Sequence, residues 1–325
     1  MSSKRTQSPL AKALREVFGD RLRESVPMAP YTSIRIGGPV DFLLEAQSAD
    51  ELAEMVRHLW DCEAPFQVLG MGSNILISDA GMRGVVVLNR ARALSFDMQS
   101  DGPSVTAESG AMLGSMARRA VERGLGGLEW ATTIPGTVGG AVVGNSGAHG
   151  SDIAGSLMLA EILQHKGGKE SWSVERLEYA YRDSWLKRNP GAAVVLSATF
   201  RLHPSTTELA KASAAEHAAF RKQTQPKGAS WGSTFKNPPD DSAGRLIEAA
   251  GLKGLQRGDM QVSPKHANFF VNLGNATAED ARKLIDIVRK EVAAQFGVEL
   301  DLEIQLLGEW GSKHGSPEDA EGDQS

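Results

Sequence analysis

The chain has 325 residues, of which 41% are apolar and 23% charged, with a formal net charge of −5. That length allows two or three domains around a large core. The charge balance is that of a globular enzyme and excludes a basic nucleic-acid binder and a disordered chain. The single cysteine, Cys62, excludes an intrachain disulfide framework and a cysteine-based metal cluster. It reads as a half-buried thiol after a helix, in a reducing, cytoplasmic setting. The first 20 residues lack an apolar stretch of signal-peptide length, and no run of about 18 apolar residues offers a membrane span.

In chain order, residues 10–24 predict an amphipathic helix with Leu10, Leu14, Val17 and Phe18 on one face. Thr32, Ile34 and Ile36 alternate with polar residues and predict a strand that turns at Gly37 and Gly38. Val40, Phe42 and Leu44 predict the next strand. Ser48 and Glu51 form a capping box opening a helix to about Trp60, with Leu52, Met55, Val56 and Leu59 inward. Strands at 66–69, 75–77 and 85–88 complete a strand–helix–strand unit. Further on come a strand at 104–108, a helix at 112–123, a hairpin over 158–174 and a strand at 194–202. Then follow helices at 206–223 and 244–250, strand-like residues 265–272 and a helix opened by Thr277 and Asp280. That last helix turns Ala281, Leu284, Ile285, Val288, Val292 and Phe296 inward. Residues 300–307 alternate as a closing strand. The polar, acidic stretch 311–325 reads as a disordered tail. Hairpins mixed with separated helices make the fold α+β.

The run 124–150, GLGGLEWATTIPGTVGGAVVGNSGAHG, holds nine glycines. Glycine lets main chain approach a ligand closely, so an anionic or planar group held by backbone N–H groups is one reading. Tight turns between short strands are the other, slightly favoured on composition alone. A second loop, Gly70-Met71-Gly72-Ser73-Asn74, could cradle a diphosphate. It lacks the third glycine and following helix of a dinucleotide fingerprint and the lysine of a P-loop. Two such loops about 60 residues apart on an α+β frame suit the two ends of a large nucleotide cofactor, a flavin being plausible.

Three side chains stand out for chemistry. Arg182, in YAYRDS, is either a cation placed to stabilise an oxyanion or enolate, or half of a surface pair with Asp183. Ser233, in WGSTFKNPP, has neither a nucleophile elbow nor a histidine at hydrolase spacing, so proton donation to a strong base outranks nucleophilic attack. A loop serine without chemistry is the alternative. Glu303 shares a predicted strand face with Asp301 and Gln305, either solvated or facing a pocket. The seven histidines show no metal-ligand spacing. His266 reads as orienting a strand.

Taken in order, TSIRIGG, LGMGSN, IPGTVGGAVVGNSGAHG, YRDS, GSTFKNP, AGRLIEAAGLKG, QVSPKHANFFVN and EIQLLG resemble the UDP-N-acetylenolpyruvoylglucosamine reductase family. The resemblance spans about residues 32–308 and is closest to the type lacking a tyrosine-bearing loop. It implies a two-part FAD-binding region of the vanillyl-alcohol-oxidase (PCMH) type plus a C-terminal α+β substrate domain. The corresponding division is an N-terminal extension 1–25, FAD-binding parts 26–92 and 93–203, a substrate domain 204–310 and the tail 311–325. Implied cofactor contacts are Gly70, Met71, Gly72, Ser73, Asn74, Ile134, Pro135, Gly136, Thr137, Gly139, Gly140, Asn145, Ser146 and Gly147. Of these, the stretch 134–141 would lie along the flavin. Implied catalytic residues are Arg182, Ser233 and Glu303, and implied substrate contacts are Asn237, Gln261 and Lys265.

In the implied reaction NADPH reduces FAD, and the flavin passes hydride to the enolpyruvyl group of a UDP-sugar. Arg182 and Glu303 would stabilise the enolate-like centre, and Ser233 would protonate it. The product, UDP-N-acetylmuramate, is a peptidoglycan precursor. Small-molecule partners are implied, with neither nucleic acid nor membrane, and the oligomeric state is left open. The chain departs from the family pattern at Thr133 (usually glycine), His149 (usually tyrosine) and Asp259 (frequently glycine). The competing readings are another FAD-dependent oxidase or dehydrogenase on the same frame, and a non-catalytic nucleotide-sugar binder.

Overall fold

Three sheets of four or five strands follow one another along the sequence, beside three two-stranded ones, in the computed structural model, which describes residues 8–98 and 102–311. The tail expected from 311 falls, beyond its first residue, outside the described residues, as does the start of the N-terminal extension.

The first sheet runs in the order Arg23–Pro27, Pro39–Ala46, Met82–Asn89, Phe66–Leu69, with the last three strands parallel. The helix Ala49–Asp61 makes the crossover that parallel pairing needs. Its Leu52, Met55, Val56 and Leu59 are buried as the periodicity predicts, and Cys62 is half-buried at its end. Ser48 Oγ accepts from Glu51 N at 3.2 Å, but the Glu51 carboxylate reaches back to Gln47 N, not to Ser48 N. The helix expected over 10–24 is Pro9–Phe18: it stops at Gly19 (φ 53°), and Arg23–Pro27 is already the first strand; it buries Ala11, Leu14 and Phe18. Val17, expected on that face, is 43% exposed because the stripe centres on Ala11, Leu14 and Phe18.

The second sheet is antiparallel: Gly168–Ser173, Leu157–Gln164, Ala193–Arg201, Ser104–Glu108, Leu94–Asp97. The predicted hairpin and long strand are both present. The glycine-rich run, expected as loop, contains a helix, Val138–Gly144. Thr137 Oγ1 accepts from Gly140 N at 3.4 Å to open it, and left-handed Asn145 (φ 45°) closes it. Val138, Ala141 and Val142 join the core of this sheet, so burial outweighs the poor helix propensity of glycine.

The third sheet is Ala229–Ser233, Phe269–Asn272, Met260–Val262, Gln256–Arg257, covered by helices Ala243–Ala249 and Ala278–Phe296. The Thr277–Asp280 capping box forms in both directions. Phe296, expected inward, is 38% exposed as the last residue of the helix, before the left-handed Gly297 cap. The helix Thr207–Thr224 buries only Ala210 among its own side chains. It packs on Glu129–Ala131 and Leu113–Val121, next to the second sheet.

Three predicted strands are shorter or absent. Residues 32–36 pair with no strand, because Thr32 Oγ1 accepts from Ile36 N at 3.2 Å and donates to Ile36 O at 2.9 Å, while Arg35 sits at φ 62°. Ile34 and Ile36 instead plug the core of the third sheet. Residues 265–268 are a turn in which Ser263 Oγ accepts from Lys265 N and His266 N, and the strand starts at Phe269. The closing strand is Gln305–Leu307 alone, and it pairs in parallel with Ile75–Ile77 of the first part.

Asp79 ties the first part to the third by accepting from Ala278 N (2.9 Å) and Glu279 N (3.0 Å) at the start of the last helix. Replacing a carboxylate that caps a helix costs about 1 kcal/mol. Asp79→Ala should lower unfolding stability by about that amount in a denaturant titration, while Asp79→Asn should recover part of it.

Candidate active site

Gly70 is required where the two glycine-rich loops meet. A Cβ there would lie 2.3 Å from Thr137 Oγ1. Gly72, at φ 59°, takes a backbone conformation closed to most side chains, with Tyr31 O 2.5 Å from where its Cβ would be. Gly72 O accepts from Ser33 N at 3.0 Å, and Ser33 Oγ donates to Ser230 O at 2.7 Å, linking the loop to the third sheet. Among the described residues, the main-chain N–H groups of Met71, Gly72, Ser73 and Asn74 have no acceptor in the chain. The loop 70–74 and the stretch 134–137 are therefore adjacent, but the second is partly tied down, Ile134 N donating to Ala131 O (3.0 Å) and Gly136 O accepting from Leu113 N (3.1 Å).

Arg182 lies in a tight turn closed by the pairing of Ala180 with Asp183, at φ 57°. The turn is anchored on the glycine-rich helix: Tyr179 Oη donates to Val142 O at 2.9 Å and Ser184 Oγ to Val143 O at 2.7 Å. Asp183 pairs with Arg188, so the alternative of an Arg182–Asp183 surface pair does not arise. The Arg182 guanidinium instead reaches Glu303 Oε1 (2.9 Å, from Nε), Asn145 O (3.3 Å) and Gly147 O (2.6 Å). Two residues read as cofactor contacts thus use their carbonyls to aim the arginine.

Glu303 is not on a strand face with Asp301 and Gln305 but in a bend before the closing strand. Its main chain is held from both sides. Its N–H donates to Thr234 O at 2.9 Å, and its carbonyl accepts from Asn74 Nδ2 at 3.1 Å. Burial pushes the Glu303 carboxyl above its usual range, and the charges of Arg182, Lys187 and Lys236 oppose that without cancelling it. Ser233 precedes Thr234 at the end of a strand whose register shifts between Ser230 and Ser233, with Gly232 at φ 85°. Such a bulge re-aims the next side chain. Among the described residues the Ser233 hydroxyl makes no hydrogen bond. The segment is fixed by Trp231 Nε1 donating to Thr234 Oγ1 (3.0 Å) and by Asn268, which bonds both Phe235 N and Phe235 O. Arg182 and Glu303, 121 residues apart in sequence, thus meet directly, and the Ser233 segment adjoins them through the bond from Glu303 N to Thr234 O.

The proposed substrate contacts are more dispersed. Asn237 borders a cleft of 580 Å³ also lined by Tyr181, Lys236, Pro238 and Asp301, and its Oδ1 accepts from Ala243 N. Gln261 Nε2 is 3.5 Å from Gly254 O, and Lys265 Nζ donates to Lys222 O at 2.6 Å. His266 orients its own turn, as expected, its Nδ1 accepting from Asn268 N. Sequence reasoning missed Asn268, Lys187 and Lys236 as parts of this site. All three lie in or beside quoted motifs, but nothing in a motif says which carbonyl or carboxylate a side chain will face.

A family model described as the C-terminal domain of UDP-N-acetylenolpyruvoylglucosamine reductase matches residues 224–307, and one described as an FAD binding domain matches residues 40–163. A Chloroflexus aggregans protein named UDP-N-acetylenolpyruvoylglucosamine reductase is 42% identical over 298 residues, covering 90% of this chain and 100% of that one. The chain belongs to the UDP-N-acetylenolpyruvoylglucosamine reductase family. Another family member, from Rubrobacter xylanophilus, is 45% identical over 283 residues, covering 87% and 94%. The crystal structure of the reductase from Thermus caldophilus matches with a TM-score of 0.75 at 35% identity, covering 88% of this chain and 99% of that one.

The FAD implied by the family fits what this reductase-family chain offers. The unpaired N–H groups of 71–74 suit a diphosphate. Thr133 Oγ1 is buried with no hydrogen-bond partner among the described residues. Gly140 and Gly144, one helical turn apart, face open space with nothing closer than 3.5 Å to an added Cβ, a side-chain-free surface for a flat ring. His149, a second departure, stacks on His217 (ring centroids 4.2 Å apart) and meets the edge of Phe220.

Two outcomes follow from these charges. Because Glu303 is held above its usual pKa, the folded state retains its proton more readily than the unfolded chain, so its ionised form costs stability above about pH 4.5. Glu303→Gln should melt at or above the parent temperature at pH 7, the difference vanishing below pH 4.5, while activity collapses. A lower melting temperature at pH 7 would contradict this. His149 is shifted the other way, downward, by burial and by the neighbouring His217 and Arg221. Its contribution is present above about pH 6.5 and is lost as pH falls from there through its lowered value. Melts from pH 8 to pH 5 should fall less steeply for His149→Tyr than for the parent.

Proposed function

We propose that Arg182, Ser233 and Glu303 carry the family's reaction in this chain, the NADPH-dependent reduction of UDP-N-acetylglucosamine enolpyruvate to UDP-N-acetylmuramate. This is an FAD-dependent oxidoreductase reaction of peptidoglycan precursor synthesis. The observation that carries the reading is the Arg182–Glu303 pair, held beside the Ser233 segment and against the glycine-rich helix.

Bound FAD supplies the hydride chemistry, accepting from NADPH and donating to the enolpyruvyl carbon, which no side chain can do. Arg182, already aimed by two carbonyls and a carboxylate, presents its charge to the carboxyl end of the enolpyruvyl group. As negative charge develops on the substrate, an oriented cation needs no reorganisation to stabilise it. Glu303 holds that arginine and polarises the same centre. Ser233 Oγ gives its proton to C2 once a base strong enough to take it has formed. Its freedom from other hydrogen bonds leaves the proton available.

Met71–Asn74 and Thr137 with Gly139 and Gly140 hold the cofactor, together with Gly70, Ile134, Pro135, Gly136, Asn145, Ser146 and Gly147. Asn237, Gln261 and Lys265 meet the UDP-sugar from the third sheet. The division at residues 92, 203 and 310 and a cytoplasmic location complete the reading. No helix among the described residues is long and apolar enough to cross a membrane.

Purified protein with FAD should be yellow, bleach anaerobically with NADPH and regain colour when the enolpyruvyl UDP-sugar is added. Bleaching without recovery would point to a different oxidant. Ser233→Ala should still bleach, but recover colour on the order of 10²- to 10³-fold more slowly, the usual loss for one transition-state contact. Normal recovery in that variant would remove Ser233 from the mechanism.

A further inference from the structure

Lys187 has no part in the chemistry described so far. It sits in the short helix Trp185–Arg188, where its N–H donates to Ser184 Oγ at 3.2 Å. Its side chain turns back, and Nζ donates to the carbonyl of Arg182 at 2.8 Å. That carbonyl belongs to a non-glycine residue in the left-handed region, a backbone state that persists only where neighbours enforce it. The orientation of this peptide sets the direction in which the Arg182 side chain leaves the main chain toward Glu303.

We propose that Lys187 is a positioning residue for the reduction, fixing the Arg182 turn through its carbonyl and with it the approach of the guanidinium to Glu303. This rests on the roles given above to Arg182 and Glu303. The groups facing Lys187 are Lys236 and Arg182, which disfavour its charge, and Asp183 and Glu303, which favour it. Burial pushes the ammonium below its ordinary range, so a helix surface alone would not select a lysine here. The groups facing Glu303 are Arg182, Lys187 and Lys236. Removing one of three cations raises the pH at which the carboxylate takes up its proton.

The test is rapid mixing of NADPH-reduced holoenzyme with the enolpyruvyl UDP-sugar, anaerobically, from pH 5 to pH 9, in the parent and in Lys187→Met, Lys187→Gln and Lys187→Arg. The Met variant should reoxidise at least about tenfold more slowly, since small misplacements of a reacting group cost this much or more. The acidic limb of its pH profile should move to higher pH. Gln keeps a donor for the Arg182 carbonyl but no charge, so its rate should recover while its limb stays shifted. Arg should restore the limb. FAD content and bleaching by NADPH certify that each variant is folded. An acidic limb that coincides with the parent's in both Met and Gln would overturn the proposal, since a merely structural lysine lowers the rate without moving it. If the parent itself is not reoxidised by the sugar, the proposed activity fails instead.

Discussion

Parallel pairing of Gln305–Leu307 with Ile75–Ile77 is the constraint on which the site depends. It returns the chain from the third part to the first, as a two-stranded sheet of its own immediately beyond the loop 70–74. The same pairing sets Glu303 against Asn74 and puts residues 301–303 alongside 234–236. Loop, carboxylate and serine segment are thus fixed by one three-residue ladder and the hydrogen bonds at its end. Ladder bonds contribute about 1 kcal/mol each, so their value here lies in geometry more than in stability.

The electrostatics follow from that placement. A carboxylate drawn into the junction of three sheets loses hydration, and the chain surrounds it with Arg182, Lys187 and Lys236 instead of relieving the burial. Such a site is expensive as structure and useful as chemistry, because the cations stay fixed when charge appears on a substrate. Tyr179 and Ser184 tie the Arg182 turn to the glycine-rich helix, so the position of that helix sets that of the cation.

Much of this was legible in the sequence. Helices with clear periodicity, the hairpin over 158–174 and the Thr277 capping box depend on local patterns, and they appear where those patterns put them. Residues 32–36 did not, because alternation of Ile34 and Ile36 reflects burial in a distant core, and a threonine side chain satisfies the backbone that a strand partner would have served. The helix within the glycine-rich run was hidden because propensity argued against it and only packing on the second sheet argued for it. Arg182, Ser233 and Glu303 were each ambiguous alone, since a positioned cation and a surface cation have the same spelling. Their order within eight motifs carries the resemblance that implies their roles. Lys187 and Asn268 stayed silent because their work is done on main-chain carbonyls and amides, which leave no trace in a residue pattern.

Asn74 and Glu303 are separated by 229 residues, and this distance along the chain bears on how the protein comes into being. Contacts so remote in sequence form late, after the loop-closure entropy of everything between them has been met. The first sheet can assemble from local crossovers while the edge of Ile75–Ile77 still lacks its neighbour. Until the third part arrives, an apolar edge stands open and the carboxylate is missing, so a partly folded molecule can carry a cofactor cradle yet remain inert. Pairing of that edge and arrival of Glu303 beside Asn74 are the same event.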